Sequence, residues 1–284
     1  DIRVTAPYTI ADYHTASLLE AGSGNWQKFP QTDFDEINKY LIFRFSETDD
    51  QGIRGDYTAG AGDATLNGAI PDMVSVYETV NNGNWSTAAV WNPAIAGGPR
   101  GAIARINAAH TIDVTTNNIA GYKTEIFGTL KLYSTSGHRL GIVNGNGTVY
   151  LEKGEIPAAV YEDFFSPAGG TIEFGGTTAY GFLGTVARVN NLSFSGSGER
   201  RFSNNNLTVN GNITIAGSSG LKVINQFNSR ISIRGNLNRS SGLFDSGSGS
   251  NATLAFTGTM PQTISGSFTG INSLNNLEIN NTSD

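Results

Sequence analysis

The sequence predicts an all-β protein, a right-handed parallel β-solenoid (β-helix) with a smaller N-terminal β-rich module. Three observations predict it. First, one short phrase, apolar–polar–apolar–polar followed by Gly or Asn, recurs through the second half of the chain. It appears as Leu192-Ser-Phe-Ser-Gly196, Leu207-Thr-Val-Asn-Gly211, Ile213-Thr-Ile-Ala-Gly217, Ile231-Ser-Ile-Arg-Gly235, Leu254-Ala-Phe-Thr-Gly258 and Leu277-Glu-Ile-Asn-Asn281. Second, the starts at Ile231, Leu254 and Leu277 are 23 residues apart each time. A fixed period in the twenties marks a fold that adds one coil per repeat. Third, only 15% of the 284 residues are charged, and 36 are Gly. Asn is frequent too, in runs such as Asn190-Asn191 and Asn204-Asn205-Asn206.

Each phrase has a physical reading. Side chains alternate faces along a strand, so its two apolar residues point one way and its two polar residues the other. Gly or Asn then supplies the permissive backbone that turns the chain. Stacked Asn side chains can add hydrogen-bond ladders between coils.

Residues 1–80 lack the phrase and form the N-terminal module, or the end of a preceding repeat. Ile2–Ile10 and Tyr40–Phe45 read as strands. Asp33-Phe-Asp-Glu36 offers a short capped helix, with the acid three residues after the cap. Gly60–Ala69 reads as a loop, and Asp72–Val80 as another strand. Residues 81–284 form the solenoid. Trp85 and Trp91 border its first segment, either as packing that closes the open end or as a sugar-stacking platform. Strands follow at Ile103–Ile106, Thr111–Val114, Glu125–Tyr133, Thr148–Glu152 and Thr171–Phe174. Ala158–Phe165 interrupts them, as a lateral insertion or an aromatic coil.

Composition excludes several classes. The net charge is −6 and no basic patch stands out, which argues against nucleic-acid binding. There are no cysteines, so disulfides and thiolate metal sites are excluded. No apolar run is long enough to span a membrane as a helix. His14, His110 and His138 lack metal-ligand spacing, and no nucleophile elbow or phosphate-binding loop appears. Glycoside cleavage needs two positioned carboxylates. Glu173, Glu199 and Glu278 are isolated in sequence, and Arg105 with Asp113 is the nearest approach to a polar cluster. The chain is therefore expected not to be an enzyme. Asp49, Asp50, Asp56 and Asp63, with Glu47, lie in a Gly-containing stretch. Oxygen ligands on such a loop suit Ca²⁺, and a solvated acidic loop is the other reading. No other cofactor is suggested.

Gly83-Asn-Trp-Ser-Thr-Ala-Ala-Val-Trp-Asn92 resembles the entry motif of giant repetitive surface adhesins of Bacteroidota. Gly169–Gly176, Val189–Gly196, Asn206–Ile215, Pro261–Gly266 and Leu274–Asn281 are similar to the body of those proteins. The resemblance covers roughly residues 80–284. It implies secretion by the type IX system, a place at the outer-membrane surface outside the cell, and for some members a part in gliding motility. The implied role is a stiff spacer or adhesion module. The implied partners are surface glycans or other cell-surface and secretion-system proteins. A carbohydrate-binding module using Trp85 and Trp91, or exposed Tyr residues, is the alternative. A β-helix polysaccharide lyase or hydrolase stands behind it. Neither end reads as a natural terminus, and the family's sorting domain is missing, so an internal segment of a longer polypeptide is expected.

Overall fold

In the computed structural model the described residues are 76–284, apart from 183, 185, 226, 248–250 and 284, with the backbone of six short strands before them. Two compact units divide the chain. One comprises Asp1–Val76 with Arg100–Ile103, and the other Tyr77–Pro99 with Ala104–Asp284.

The first unit holds two antiparallel sheets. Tyr40–Phe43 lies between Ile2–Thr5 and Thr32–Asp35, and Thr15–Glu20 lies between Trp26–Phe29 and Gly55–Gly60. The capped helix expected at Asp33–Glu36 is absent, because Thr32–Asp35 is a strand registered against Tyr40–Phe43. Thr-Asp-Phe-Asp alternates polar and apolar at period 2, and a partner strand satisfies its backbone where one acidic residue at a helix start would not.

The second unit is a parallel β-solenoid. Its backbone is one sheet of nine strands: Gly83–Asn84, Thr111–Val114, Thr129–Leu132, Thr148–Leu151, Thr171–Phe174, Asn191–Phe194, Ile213–Ile215, Leu237–Arg239 and Ile264–Ser265. Every neighbouring pair is parallel. Up to Ala158–Val160 the opposite wall is a six-stranded sheet that includes Lys123–Ile126 and Arg139–Asn144. Beyond it each coil carries three strands, except the last, where a 3-10 turn at Gly270–Asn272 stands between its two strands. A four-stranded sheet runs through Tyr180–Phe182, Gly198–Phe202, Leu221–Ile224 and Leu243–Asp245. A five-stranded sheet runs through Arg188–Val189, Leu207–Val209, Arg230–Ile233, Thr253–Phe256 and Leu277–Ile279.

The change from two strands to three falls at the segment expected to interrupt the pattern. Ala158–Val160 ends the six-stranded wall, and the turn after it buries Phe164 and Phe165. The Tyr161 ring stacks on Phe165 at 4.7 Å. Past the turn, Phe174, Phe182, Phe194 and Phe202 pack together in the core.

Alternation builds this core. In Thr111–Val114, Thr129–Leu132, Thr148–Leu151 and Thr171–Phe174, the second and fourth residues are buried and the first and third partly exposed. Register stacks like on like, so Ile112, Leu130, Val149 and Ile172 form one column. Each such buried side chain contributes about 1.5–3 kcal/mol. Leu207, Val209, Ile213, Ile215, Ile231 and Ile233 are all buried, as the phrase requires. They belong to two walls, however. Ile213 and Ile215 continue the long sheet, while Leu207 and Val209 pair with Ile231 and Ile233 in the five-stranded one.

The stretch expected as one strand from Glu125 to Tyr133 is two, Lys123–Ile126 and Thr129–Leu132. Gly128 makes the corner, where a Cβ would collide with the carbonyl oxygens of Asn107 and His110. The Asn ladder is present in a side-chain-to-backbone form. Asn191 Oδ1 accepts the Asn212 N–H at 2.9 Å, Asn212 Oδ1 the Asn236 N–H at 2.7 Å, and Asn236 Oδ1 the Thr263 N–H at 2.7 Å. Each amide supplies the acceptor for the start of the next rung.

Candidate functional site

Among the described residues, register brings a set of aromatic and charged side chains together on the outer face of the long sheet. Asp113, Lys131, Tyr150 and Glu173 are the third residues of four successive strands, and they stand in one column. Beside them Thr111, Thr129, Thr148 and Thr171 form a second column. Sheet geometry spaces such neighbours at about 4.7–4.9 Å.

Polar contacts tie the first column down. The Tyr133 hydroxyl donates to Asp113 Oδ1 at 2.8 Å, which pushes the phenol up to about 12. The Tyr150 hydroxyl donates to Glu152 Oε1 at 3.1 Å and accepts from the Gly176 N–H at 2.9 Å. Burial, then the charge of Glu152, raises its pKa as well. Both phenols are therefore neutral at physiological pH. Ser195 donates to Glu173 Oε1 at 2.5 Å, and the Lys131 ammonium lies 5.5 Å from the Tyr150 ring centre. The rings of Tyr133 and Tyr150 meet edge to face at 67°, 6.3 Å apart. They offer edges, hydroxyls and carboxylate acceptors rather than one flat stacking surface.

A second polar group lies on the six-stranded wall. Glu125 accepts from Arg105 Nε at 2.7 Å and pairs with Lys123 Nζ at 2.7 Å, while Arg105 also faces Glu78 at 3.8 Å. Burial pulls the Glu125 carboxyl upward, but the two cations outweigh it and hold it below its usual value. Arg105 and Asp113, adjacent on sequence grounds, are thus separated by the fold. One is bound to Glu125, the other to Tyr133. The glutamates isolated in sequence also find partners. Glu173 accepts from Ser195, Glu199 pairs with Arg201, and Glu278 with Arg230.

Trp85 and Trp91 are 1% and 2% exposed. Their rings meet edge to face at 5.0 Å, and Trp91 Nε1 donates to the Trp85 carbonyl at 2.7 Å. Gly98, at φ +80°, lies against Trp85 where a Cβ would collide with the indole. The packing alternative describes both positions, and neither indole presents a face on which a sugar could stack. Asp49, Asp50 and Asp63 lie outside the described residues, and of Asp56 only the backbone is described, in the strand Gly55–Gly60. Among the described residues no three His, Cys, Asp or Glu side chains gather as metal ligands. His110 Nδ1 bonds Thr79 Oγ1 at 2.7 Å, and His138 Nε2 bonds Thr135 Oγ1 at 2.9 Å.

Sequence reasoning missed Arg200, which is completely buried. Its Nη1 donates to Thr178 O at 2.6 Å. Its Nη2 reaches the carbonyls of Gly175, Gly176 and Ser197 at 2.5, 2.9 and 2.8 Å. The Tyr180 ring lies 4.3 Å from the guanidinium carbon. Strand alternation in Gly198-Glu-Arg-Arg-Phe202 was the available signal, because it puts Arg200 in phase with buried Phe202. No helix of the described residues is long and apolar enough to cross a membrane. No family profile, curated protein or solved structure matches the chain.

Proposed function

We propose that this chain is a structural and adhesive segment of a large secreted bacterial surface protein, a stiff spacer that lets many weak contacts act together. The observation that carries this reading is the unbroken nine-stranded parallel sheet, whose core columns link each coil to the next, with Asn bonds added across its later coils. A stack of that kind resists bending because every coil is packed against its neighbours. The resemblance to type IX-secreted adhesins of Bacteroidota supports an extracellular place at the outer-membrane surface, in some relatives linked to gliding. The partners would be surface glycans or other surface and secretion-system proteins. The segment would have no catalytic turnover.

The second reading is a carbohydrate-binding module. The observation that favours it is the column of Asp113, Lys131, Tyr150 and Glu173, since carboxylates and tyrosines suit sugar hydroxyls better than the buried tryptophans do. Single-molecule pulling of the purified chain tests the spacer role. Coils of 18 to 27 residues should release in steps of about 60–100 Å, at roughly 3.3–3.6 Å per residue. Featureless extension without force peaks would refute it. Incubation with plant, algal and bacterial glycans should give no new reducing ends. Sustained turnover lost on one Asp or Glu substitution would overturn the reading.

A further inference from the structure

The change from two walls to three makes a seam inside the solenoid, and the seam leaves a sheet edge open. Ala158–Val160 is the last strand of the six-stranded sheet, Tyr180–Phe182 the first of the four-stranded sheet and Arg188–Val189 the first of the five-stranded one. Among the described residues no strand pairs with the outer edge of Ala158–Val160. The Ala158 N–H donates to His138 O at 3.1 Å, on the paired side. Strand alternation therefore turns the N–H and C=O of Ala159 to the open side. Exposed edges are usually blunted by Lys, Pro, a bulge or an inward charge. This strand is Ala-Ala-Val, and the bulge beside it lies on the paired side, at Arg139 and Gly141.

A cleft of about 630 Å³ lies at that edge. Ile156, Pro157, Ala159, Tyr161 and Val186 make its lining largely apolar, and Lys153 and Glu155 add one charge of each sign. The ion pairs of the described residues include neither Lys153 nor Glu155. On the outer face the rung partners Ile142 and Val160 are 38% and 57% exposed. Apolar surface therefore borders the open backbone on both faces of the strand. The chain's own next coil does not fill the edge. It passes at Gly154, where a Cβ would collide with Gly181 O, and its strands pair into the other two sheets.

We propose that the seam is a docking site for an extended peptide segment of a partner protein. The segment adds a parallel strand at the edge of Ala158–Val160 and places apolar side chains in the cleft. Two observations identify this occupant. The wall that it extends is already parallel from Lys123–Ile126 through Arg139–Asn144 to Ala158–Val160, and strand addition continues that pairing. Lys153 and Glu155 stand just before the strand in the chain and line the same cleft. In parallel register they complement an acidic and a basic residue just before the segment's apolar run. A small apolar molecule would leave both charges and the Ala159 amide without partners. The site differs in kind from the weak contacts along the long sheet, because it holds one segment per chain.

The test adds the fluorescein-labelled, C-amidated peptide Glu-Lys-Val-Thr-Val-Thr-Val to the full chain. Anisotropy should rise saturably, and hydrogen exchange at the Ala159 amide should slow by about tenfold or more. Proline in place of the central valine removes a backbone donor and should weaken binding by about tenfold or more. Val160→Lys changes an exposed side chain, so circular dichroism should stay unchanged while binding weakens to a similar degree. Glu155→Lys should weaken binding too, and a peptide with Glu in place of its Lys should recover it. No saturable binding, or binding that leaves exchange at Ala159 unchanged, overturns the proposal. So does a self-associated chain that Val160→Lys makes monomeric, since a second copy would then be the occupant.

Discussion

Arg200→Met isolates what a buried guanidinium does here. Methionine keeps most of the stem's volume but removes the charge and every donor. Of the carbonyls that Arg200 binds, Gly175 O keeps the Tyr180 hydroxyl at 2.8 Å, and Gly176 O keeps the Ser197 N–H at 2.8 Å. Thr178 O and Ser197 O depend on Arg200. Thr178 is exposed and Ser197 half-buried, so water reaches these acceptors and each costs less than the about 1–3 kcal/mol of a buried orphan. Against this, the burial of an uncompensated cation is relieved, and among the described residues no carboxylate pairs with Arg200. That burial already lowers the guanidinium pKa. Charge-assisted bonds and the Tyr180 stacking recover much of the desolvation, so the donors should dominate. The expected net loss is about 1–2 kcal/mol. Urea unfolding followed by far-UV circular dichroism measures it, with the m-value held as the check on cooperativity. An unmoved midpoint, or a rise, would refute the reasoning and show that desolvation dominates.

Two further outcomes follow from the core. Trp85→Ala should cost about 3–5 kcal/mol by the same assay, and iodide should barely quench Trp85 or Trp91 in the parent chain. His138 is buried, with Nδ1 lacking a partner. Burial lowers its pKa from 6.5; the Thr135 bond and Glu155 oppose that shift, and Lys153 adds to it. The unfolded chain therefore binds the proton more readily, so this contribution to stability is complete above about pH 6.5 and is lost as pH falls below it. Melting temperatures from about pH 7.5 to 5 should decline less in His138→Gln than in the parent chain.

Inward–outward alternation was legible throughout, because the phrase states it residue by residue. Which wall a phrase occupies was not. Ile213-Thr-Ile and Ile231-Ser-Ile look alike, yet one lies in the long sheet and the other in the five-stranded sheet. An apolar–polar–apolar strand records only which side faces the core. The corner at Gly128 was hidden for a related reason, since a lone glycine between strand-forming residues reads equally as a strand interior, and only the close backbone of Asn107 and His110 requires it. At the candidate site, Tyr150 and Glu173 are 23 residues apart and meet only through register. The position of Arg200 was readable from alternation, but its carbonyl partners come from Gly175–Thr178 and Ser197, which sequence does not join.

Coil length varies where register does not. In the long sheet 18 residues separate Thr111 from its partner Thr129, and 27 separate Leu237 from Ile264. The surplus is absorbed at the corners, while the stacked side chains keep their places. Insertions and deletions there leave the axial spacing untouched, so corners can diversify one at a time without correlated changes in the walls. A peptide grafted into successive corners would be displayed as an array at a pitch of about 4.7–4.9 Å per coil.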